Sequence, residues 1–352
     1  QIILNGTQAL VRLMLMQKAR DRLCGNNTAG LVTGYRGSPM GSVDFQMQIA
    51  KKELSESDIL FQLGLNEDLA ATALWGSQQS ELRGEGKFDG VFGLWYGKGP
   101  GIDRSGDVMR HANMAGTSPL GGVLMAMGDD HTGESSTTLH QSDFALIDAM
   151  MPILSPAGVQ EILDYGLLGI AMSRFAGVWG GLKCTKDTIE VTSVVDARND
   201  RINISLPNLD LPDGGLNIRL VDLPINQEER LHRYKKIAAE EFARSNKIDQ
   251  HVHGKSDSKI GFVAAGKNWL DLAHSMQLLG LDEDECNLLK IKTYKIGMIW
   301  PLDIVSFREW CQDLDFIIVI EEKRKILEPQ IKEVLFDNNL NCRVFGSKDD
   351  EE

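Results

Sequence analysis

The chain has no long apolar run. No stretch approaches the ~18 residues that a membrane-crossing helix requires, and the richest, 316–320 and 121–127, are strand-sized. Residues 1–20 carry Arg12, Lys18 and Arg20 among their apolar positions and do not read as a secretory leader. Cysteine is scarce and scattered: Cys24, Cys184, Cys286, Cys311 and Cys342 include no CxxC. That excludes a locally encoded iron–sulfur ligand run or redox pair. Free thiols in a reducing cytoplasm are expected instead. Basic charge is short as well, with 37 Lys and Arg against 50 Asp and Glu, a net of −13. Such a chain repels phosphate backbones, which argues against a nucleic-acid partner. Neither a Walker A motif nor a Rossmann fingerprint occurs, so a nicotinamide-dependent oxidoreductase is a weak alternative. Gln1 stands where a start Met is missing, directly before a strand and a helix, and this reads as a piece of a longer protein.

The 352 residues, 42% of them hydrophobic, suffice for one large domain and a smaller one. Strand-like and helix-like segments alternate, which predicts an α/β fold with a largely parallel sheet. Strands are expected at 31–33, 58–63, 90–95 and 121–127, and helices at 7–23, 67–82 and 156–174. The last carries Val159, Ile162, Leu163, Leu167 and Ile170 at the period of one buried face. Residues 189–224, with Pro207, Pro212 and Asp213-Gly214-Gly215, read as irregular strand and loop. A charged helix over 227–244 closes the first domain, 1–244. The polar stretch 245–258 reads as a linker. A second α/β unit follows at 259–346, with strands at 260–264, 287–293, 316–320 and 342–345, and an acidic tail at 347–352.

Four segments could carry chemistry. Thr33-Gly34-Tyr35-Arg36-Gly37-Ser38-Pro39 follows a strand, where open α/β sheets bind ligands. Gly34 and Gly37 allow close backbone approach, and Arg36 and Ser38 offer donors to a carboxylate. The bland reading is a tight turn with an exposed Arg. Gly97-Lys98-Gly99-Pro100-Gly101 is a second Gly-rich turn, but Pro100 removes one N–H that a phosphate cradle would use. Glu67 and Asp68 open a helix, and for Asp68 capping is the preferred role. Gly128-Asp129-Asp130-His131 through His140-Gln141-Ser142-Asp143 is dense in polar side chains. It suits a site, or a polar loop with Ser142 or Asp143 capping the next helix. His131 and His140 lack a third ligand at useful spacing, so no metal site is expected.

Together these segments resemble the 2-oxoacid:ferredoxin oxidoreductases, and most of all the N-terminal part of the long, fused indolepyruvate ferredoxin oxidoreductases. The phrases are GTQALVRL (6–13), TGYRGSPMGSVD (33–44), NEDLAATALWGSQQ (66–79), FDGVFGLWYGKGPGIDRSGDVMRHANMAGTS (88–118), GDDHTGESSTTLHQSD (128–143) and VIEEKRKILEPQI (319–331). The resemblance implies a thiamine diphosphate pyrimidine-binding domain with a parallel sheet, followed by a smaller transketolase C-terminal-like domain that mainly supports assembly. It implies that Glu67 activates the cofactor, with Gly34, Tyr35, Arg36, Gly37, Ser38 and Pro39 beside it. Arg36, Lys98, Arg104 and His131 are candidates for the substrate side. The implied reaction decarboxylates a 2-oxoacid, passes electrons to ferredoxin and delivers the acyl group to coenzyme A. No GDG motif occurs. The pyrophosphate-binding domain, its Mg and the 4Fe-4S clusters are therefore expected on missing parts or partner chains. The piece would be inactive alone, in a dimeric assembly. A noncatalytic scaffold of the same fold is the alternative.

Overall fold

The structure, a computed structural model, describes residues 1–134 and 140–347. The expected acidic tail beyond Ser347, and Ser135-Ser136 of the polar loop, lie outside the described residues. The strands are β1 (Ile2–Asn5), β2 (Ala29–Gly34), β3 (Ile59–Leu63), β4 (Val91–Lys98), β5 (Val123–Asp129), β6 (Ile153–Leu154), β7 (Trp179–Thr185), β8 (Thr192–Val195), β9 (Gln250–His253), β10 (Ile260–Ala265), β11 (Ile291–Ile296), β12 (Met298–Trp300), β13 (Phe316–Ile320) and β14 (Arg343–Phe345). The helices are α1 (Gly6–Leu23), α2 (Val43–Ile49), α3 (Lys51–Glu56), α4 (Glu67–Ser77), α5 (Gly99–Arg104), α6 (Gly106–Ala115), α7 (Asp143–Asp148), α8 (Val159–Ala176), α9 (Lys186–Ile189), α10 (Pro224–Arg230), α11 (Lys236–Ser245), α12 (Gly266–Leu278), α13 (Glu283–Leu288), α14 (Ile304–Cys311) and α15 (Leu327–Asp337). A π-helical turn at Leu231–Lys235 joins α10 to α11.

The first sheet has the order β12-β6-β7-β5-β4-β2-β3. Every neighbouring pair is parallel except β12 with β6. The second sheet, β14-β13-β10-β11-β9, is parallel except at β9. This is the α/β class that the alternation of segments predicts. Burial explains the apolar strands. Along β5, Leu124 and Ala126 face one core while Val123, Met125 and Met127 face the other, and all five are fully buried. A strand covered on both faces needs no polar alternation.

On one face α1 and α8 pack together. An Asn5–Gln8 capping box starts α1. Gly166 in α8 lets the two helices approach, since a Cβ there would stand 2.4 Å from Leu13 Cδ2. The other face is covered by α4, α5 and α6, whose Ala70, Leu74, Ile102 and Met109 join Trp95 and Trp179 in one cluster.

Three local readings need correction. Residues 245–258 are more than a connector: Gln250–His253 is β9, paired with β11. Its QHVH pattern is too short and polar to show alternation. Residues 287–290 are not strand, because Asp282 caps α13 by accepting a hydrogen bond from Glu285 N and β11 begins at Ile291. Finally β12, from the C-terminal part of the chain, pairs with β6 and completes the first sheet.

Candidate functional site

Parallel strands place their carboxyl ends on one edge of the sheet, so the loops after β2, β3, β4, β5 and β7 gather there. The loop after β3 is pinned to the loop after β2, with Gly64 N donating to Gly34 O at 3.0 Å. Tyr35 N donates to Tyr96 O, also at 3.0 Å. Gly34 must be glycine at this crossing, because a Cβ would stand 2.0 Å from Tyr96 O. Gly37 rests on the Lys98 stem, and Pro39 and Met40 lie against Gly128. The Gly34–Pro39 turn therefore touches the ends of three neighbouring strands. Its Tyr35 and Arg36 are exposed, Gly37 and Ser38 half-buried, and Pro39 buried.

Asn66 ends the β3 loop in extended backbone and caps α4, its side chain accepting a hydrogen bond from Leu69 N at 2.8 Å. The cap is thus Asn66, and Asp68 takes no capping hydrogen bond. This puts Glu67 first in the helix. Trp95 Nε1 donates to the Glu67 carbonyl at 3.0 Å and fixes its backbone. The side chain lies against Gly101 in α5, where an added Cβ would stand 2.4 Å from Glu67 Cγ and 2.7 Å from Oε1. Glu67 is only 8% exposed. Among the described residues its carboxylate has no hydrogen-bond or ion-pair partner.

The polar loop after β5 forms a separate network. Asp129 is fully buried and accepts from both Ser142 N (2.9 Å) and Ser142 Oγ (2.6 Å). The Ser142 hydroxyl is thus spent on Asp129 and does not cap α7. Lys183 pairs with Asp143 at 2.8 Å. Burial, then the neighbouring Asp143, raises the Asp129 pKa, against the pull of Lys183 and Ser142. Burial alone would lower the Lys183 pKa, but Asp143 and Asp129 outweigh it and the net direction is up. His140 Nε2 meets Asp103 Oδ2 at 2.8 Å, and its ring occupies the space where a Gly99 Cβ would be, 2.2 Å away.

The structure sets Gly37 of the turn against Lys98, and Glu67 against Gly101 in the helix that follows Lys98. It leaves Arg104 exposed on α5 without an ion-pair partner among the described residues. His131 makes its contacts elsewhere, with His140 O at 3.2 Å and Glu322 Oε2 at 3.7 Å. Sequence reasoning missed Lys183. The available signal was a lone cation inside the apolar strand WGGLKCT.

Comparison with known proteins finds relatives over nearly the whole chain. A family model described as the indolepyruvate oxidoreductase domain matches residues 250–352. The indolepyruvate oxidoreductase subunit IorA of Pyrococcus horikoshii is 24% identical, over 98% of this chain and 49% of its own length. The same subunit of Methanothermobacter marburgensis is 22% identical, over 96% of this chain and 51% of its own. The chain thus spans about half the length of the curated relatives it matches. Among solved structures, a 2-oxoglutarate:ferredoxin oxidoreductase from Magnetococcus marinus superposes with a TM-score of 0.67 at 14% identity, covering 98% of this chain and 62% of that one. A split-gene transketolase, an inactive β4 tetramer, gives 0.54 at 11% identity, covering 97% and 89%. The α/β fold is shared with these two solved structures, and the resemblance to the indolepyruvate oxidoreductase subunits extends over nearly the whole chain.

Proposed function

We propose that this chain is the pyrimidine-binding part of a thiamine diphosphate-dependent 2-oxoacid:ferredoxin oxidoreductase acting on indolepyruvate or other aryl pyruvates. The observation that carries the proposal is Glu67, a residue only 8% exposed whose carboxylate has no partner among the described residues and rests on Gly101, where an added Cβ would crowd it. That cradle fits a ring nitrogen that shares a proton with an acid. A noncatalytic scaffold has no need of such a group.

Glu67 would hold the aminopyrimidine ring, and the Gly34–Pro39 turn would offer backbone on which it can lie. Thiamine diphosphate, when bound, would supply a carbon nucleophile for a 2-oxoacid. Glu67 holds and moves the proton at the ring nitrogen. Arg36 and Lys98 are placed to orient the substrate carboxylate. Arg104, exposed on α5, and His131, which contacts His140 O and Glu322, are further candidates for the same task. The division into residues 1–244 and 259–346 belongs to the same reading. So do a diphosphate site with Mg, 4Fe-4S clusters, and coenzyme A and ferredoxin sites on other domains or subunits, in a dimeric cytoplasmic enzyme.

Glu67→Gln in the full-length enzyme tests this. The amide preserves size and cannot exchange the proton. Turnover with a viologen acceptor should fall about 100-fold or more, the usual loss when a proton-transfer group is removed. The melting temperature should stay close to that of the wild type. Unchanged turnover removes Glu67 from the mechanism.

A further inference from the structure

The EEKR segment between β13 and α15 touches the loop after β5, and from there a chain of contacts runs to Glu67. Gln141, 7% exposed, exchanges two hydrogen bonds with the main chain of Arg324. Its Nε2 donates to Arg324 O at 3.2 Å, and Arg324 N donates to its Oε1 at 3.1 Å. The side-chain amide thus acts like one residue of a neighbouring strand. The Arg324 guanidinium lies 3.8 Å from the centre of the Phe144 ring and donates to Gln141 O at 3.4 Å. The EEKR turn is itself built for this. Glu321 accepts hydrogen bonds from the N–H groups of Ile326, Leu327 and Glu328, which start α15. Lys323 takes a left-handed conformation, with φ 61°.

From Gln141 the contacts run one way. His140, its neighbour, is pressed on Gly99 and tied to Asp103, so it grips α5 at two points. Gly101, in the same short helix, supports the Glu67 carboxylate. Ser142, the other neighbour, is fastened to Asp129 at the end of β5. The segment is therefore held between the first sheet and the EEKR turn.

We infer that Gln141 is a positioning residue, through which the C-terminal unit sets the α5 turn that aims Glu67 at the cofactor ring. This rests on the thiamine diphosphate reading above, and it gives the VIEEKRKILEPQI phrase a task beyond assembly. Losing Gln141 leaves an amide N–H and a carbonyl of Arg324 without their partners and frees the segment to shift.

The test uses full-length enzyme freed of cofactor, titrated with thiamine diphosphate and magnesium while tryptophan fluorescence is followed. Gln141→Leu keeps the volume and removes both hydrogen bonds. It should weaken cofactor binding about tenfold, the effect of roughly 1.4 kcal/mol. It should lower kcat and leave KM for the 2-oxoacid unchanged. Arg324→Lys keeps the main-chain partners of Gln141 and should bind cofactor like the wild type. If Gln141→Leu does not fold, Gln141→Glu keeps one accepting oxygen for Arg324 N and should show a smaller loss of the same kind. Wild-type cofactor affinity and kcat in the Gln141 variants, with turnover still lost in Glu67→Gln, overturns the inference and leaves the cofactor reading standing. An Arg324→Lys variant as impaired as Gln141→Leu overturns the main-chain assignment. If Glu67→Gln itself has no effect, the cofactor reading fails and this inference with it.

Discussion

Gly101 decides where the Glu67 carboxylate can sit. A methyl group there would meet the acid at 2.4–2.8 Å, and α5 offers the helix-compatible backbone that Ala accepts. Gly101→Ala should therefore fold. It should displace the carboxylate and lower turnover at least about tenfold, since small misplacements of a reacting group have costs of that order. Stability, read by thermal melting, should change by no more than about 1–3 kcal/mol. A variant with full turnover would show that Glu67 is not held by this contact. Asp249 offers a residue-scale test of electrostatics. Its Oδ1 accepts from Gly297 N (2.7 Å) and Met298 N (3.0 Å), while Oδ2 is buried without a partner. Burial is the main cause that raises its pKa from 3.8 to about 7, against the two backbone hydrogen bonds. The folded chain thus holds this proton more tightly than the unfolded chain does, and the group's contribution to stability falls as pH rises between those two values. Asp249→Asn keeps the accepting oxygen and removes the charge. Relative to the wild type it should melt higher at pH 8 and gain clearly less at pH 5. An equal shift at both pH values would contradict the assignment.

At the scale of elements, the sequence reveals some pieces and hides others for identifiable reasons. Strands β4 and β5 are legible because burial on both faces makes continuous apolar runs, and α8 because one face repeats at the helical period. Strand β7 is hidden by Gly180-Gly181, which read as punctuation. In the sheet Gly181 serves packing, since a Cβ there would stand 2.3 Å from Leu146 Cδ2. Strand β12 is hidden because its partner β6 lies far away in the chain, a relation no local pattern expresses. For the proposed site, Glu67 and the Gly34–Pro39 turn stand out only through their resemblance to a family. The Gln141–Arg324 link does not, because an amide bonding to main chain leaves no complementary residue type to find. One consequence is testable. A fragment ending at 244 lacks β12 and leaves the β6 edge bare. It also loses the contact between Lys295 and Glu161. It should be cut by trypsin much faster than a chain extending through α15, and a fragment of equal resistance would show the first sheet to be self-sufficient.

For the whole molecule, the notable surface lies beside the site. Strand β3 is the sheet edge, and Leu60, Leu63 and Leu65 near it are exposed, together with Phe45, Ile49 and Leu69. A parallel sheet edge with this much uncovered aliphatic surface suits an interface. Under the proposed function it is the surface for the part that brings the diphosphate site. A Leu60→Lys, Leu63→Lys double variant of the full-length enzyme should lower the assembled fraction seen by light scattering. The melting temperature of the isolated chain should change little, because both side chains are already in water. Unchanged assembly would move the interface elsewhere.

The loan of β12 to the first sheet also governs how the molecule is made. A chain emerging from the ribosome presents β6 well over a hundred residues before β12 is available to pair with it. Loop closure on that scale delays completion of the sheet until β12 has been translated. Until then the nascent chain carries an open β6 edge.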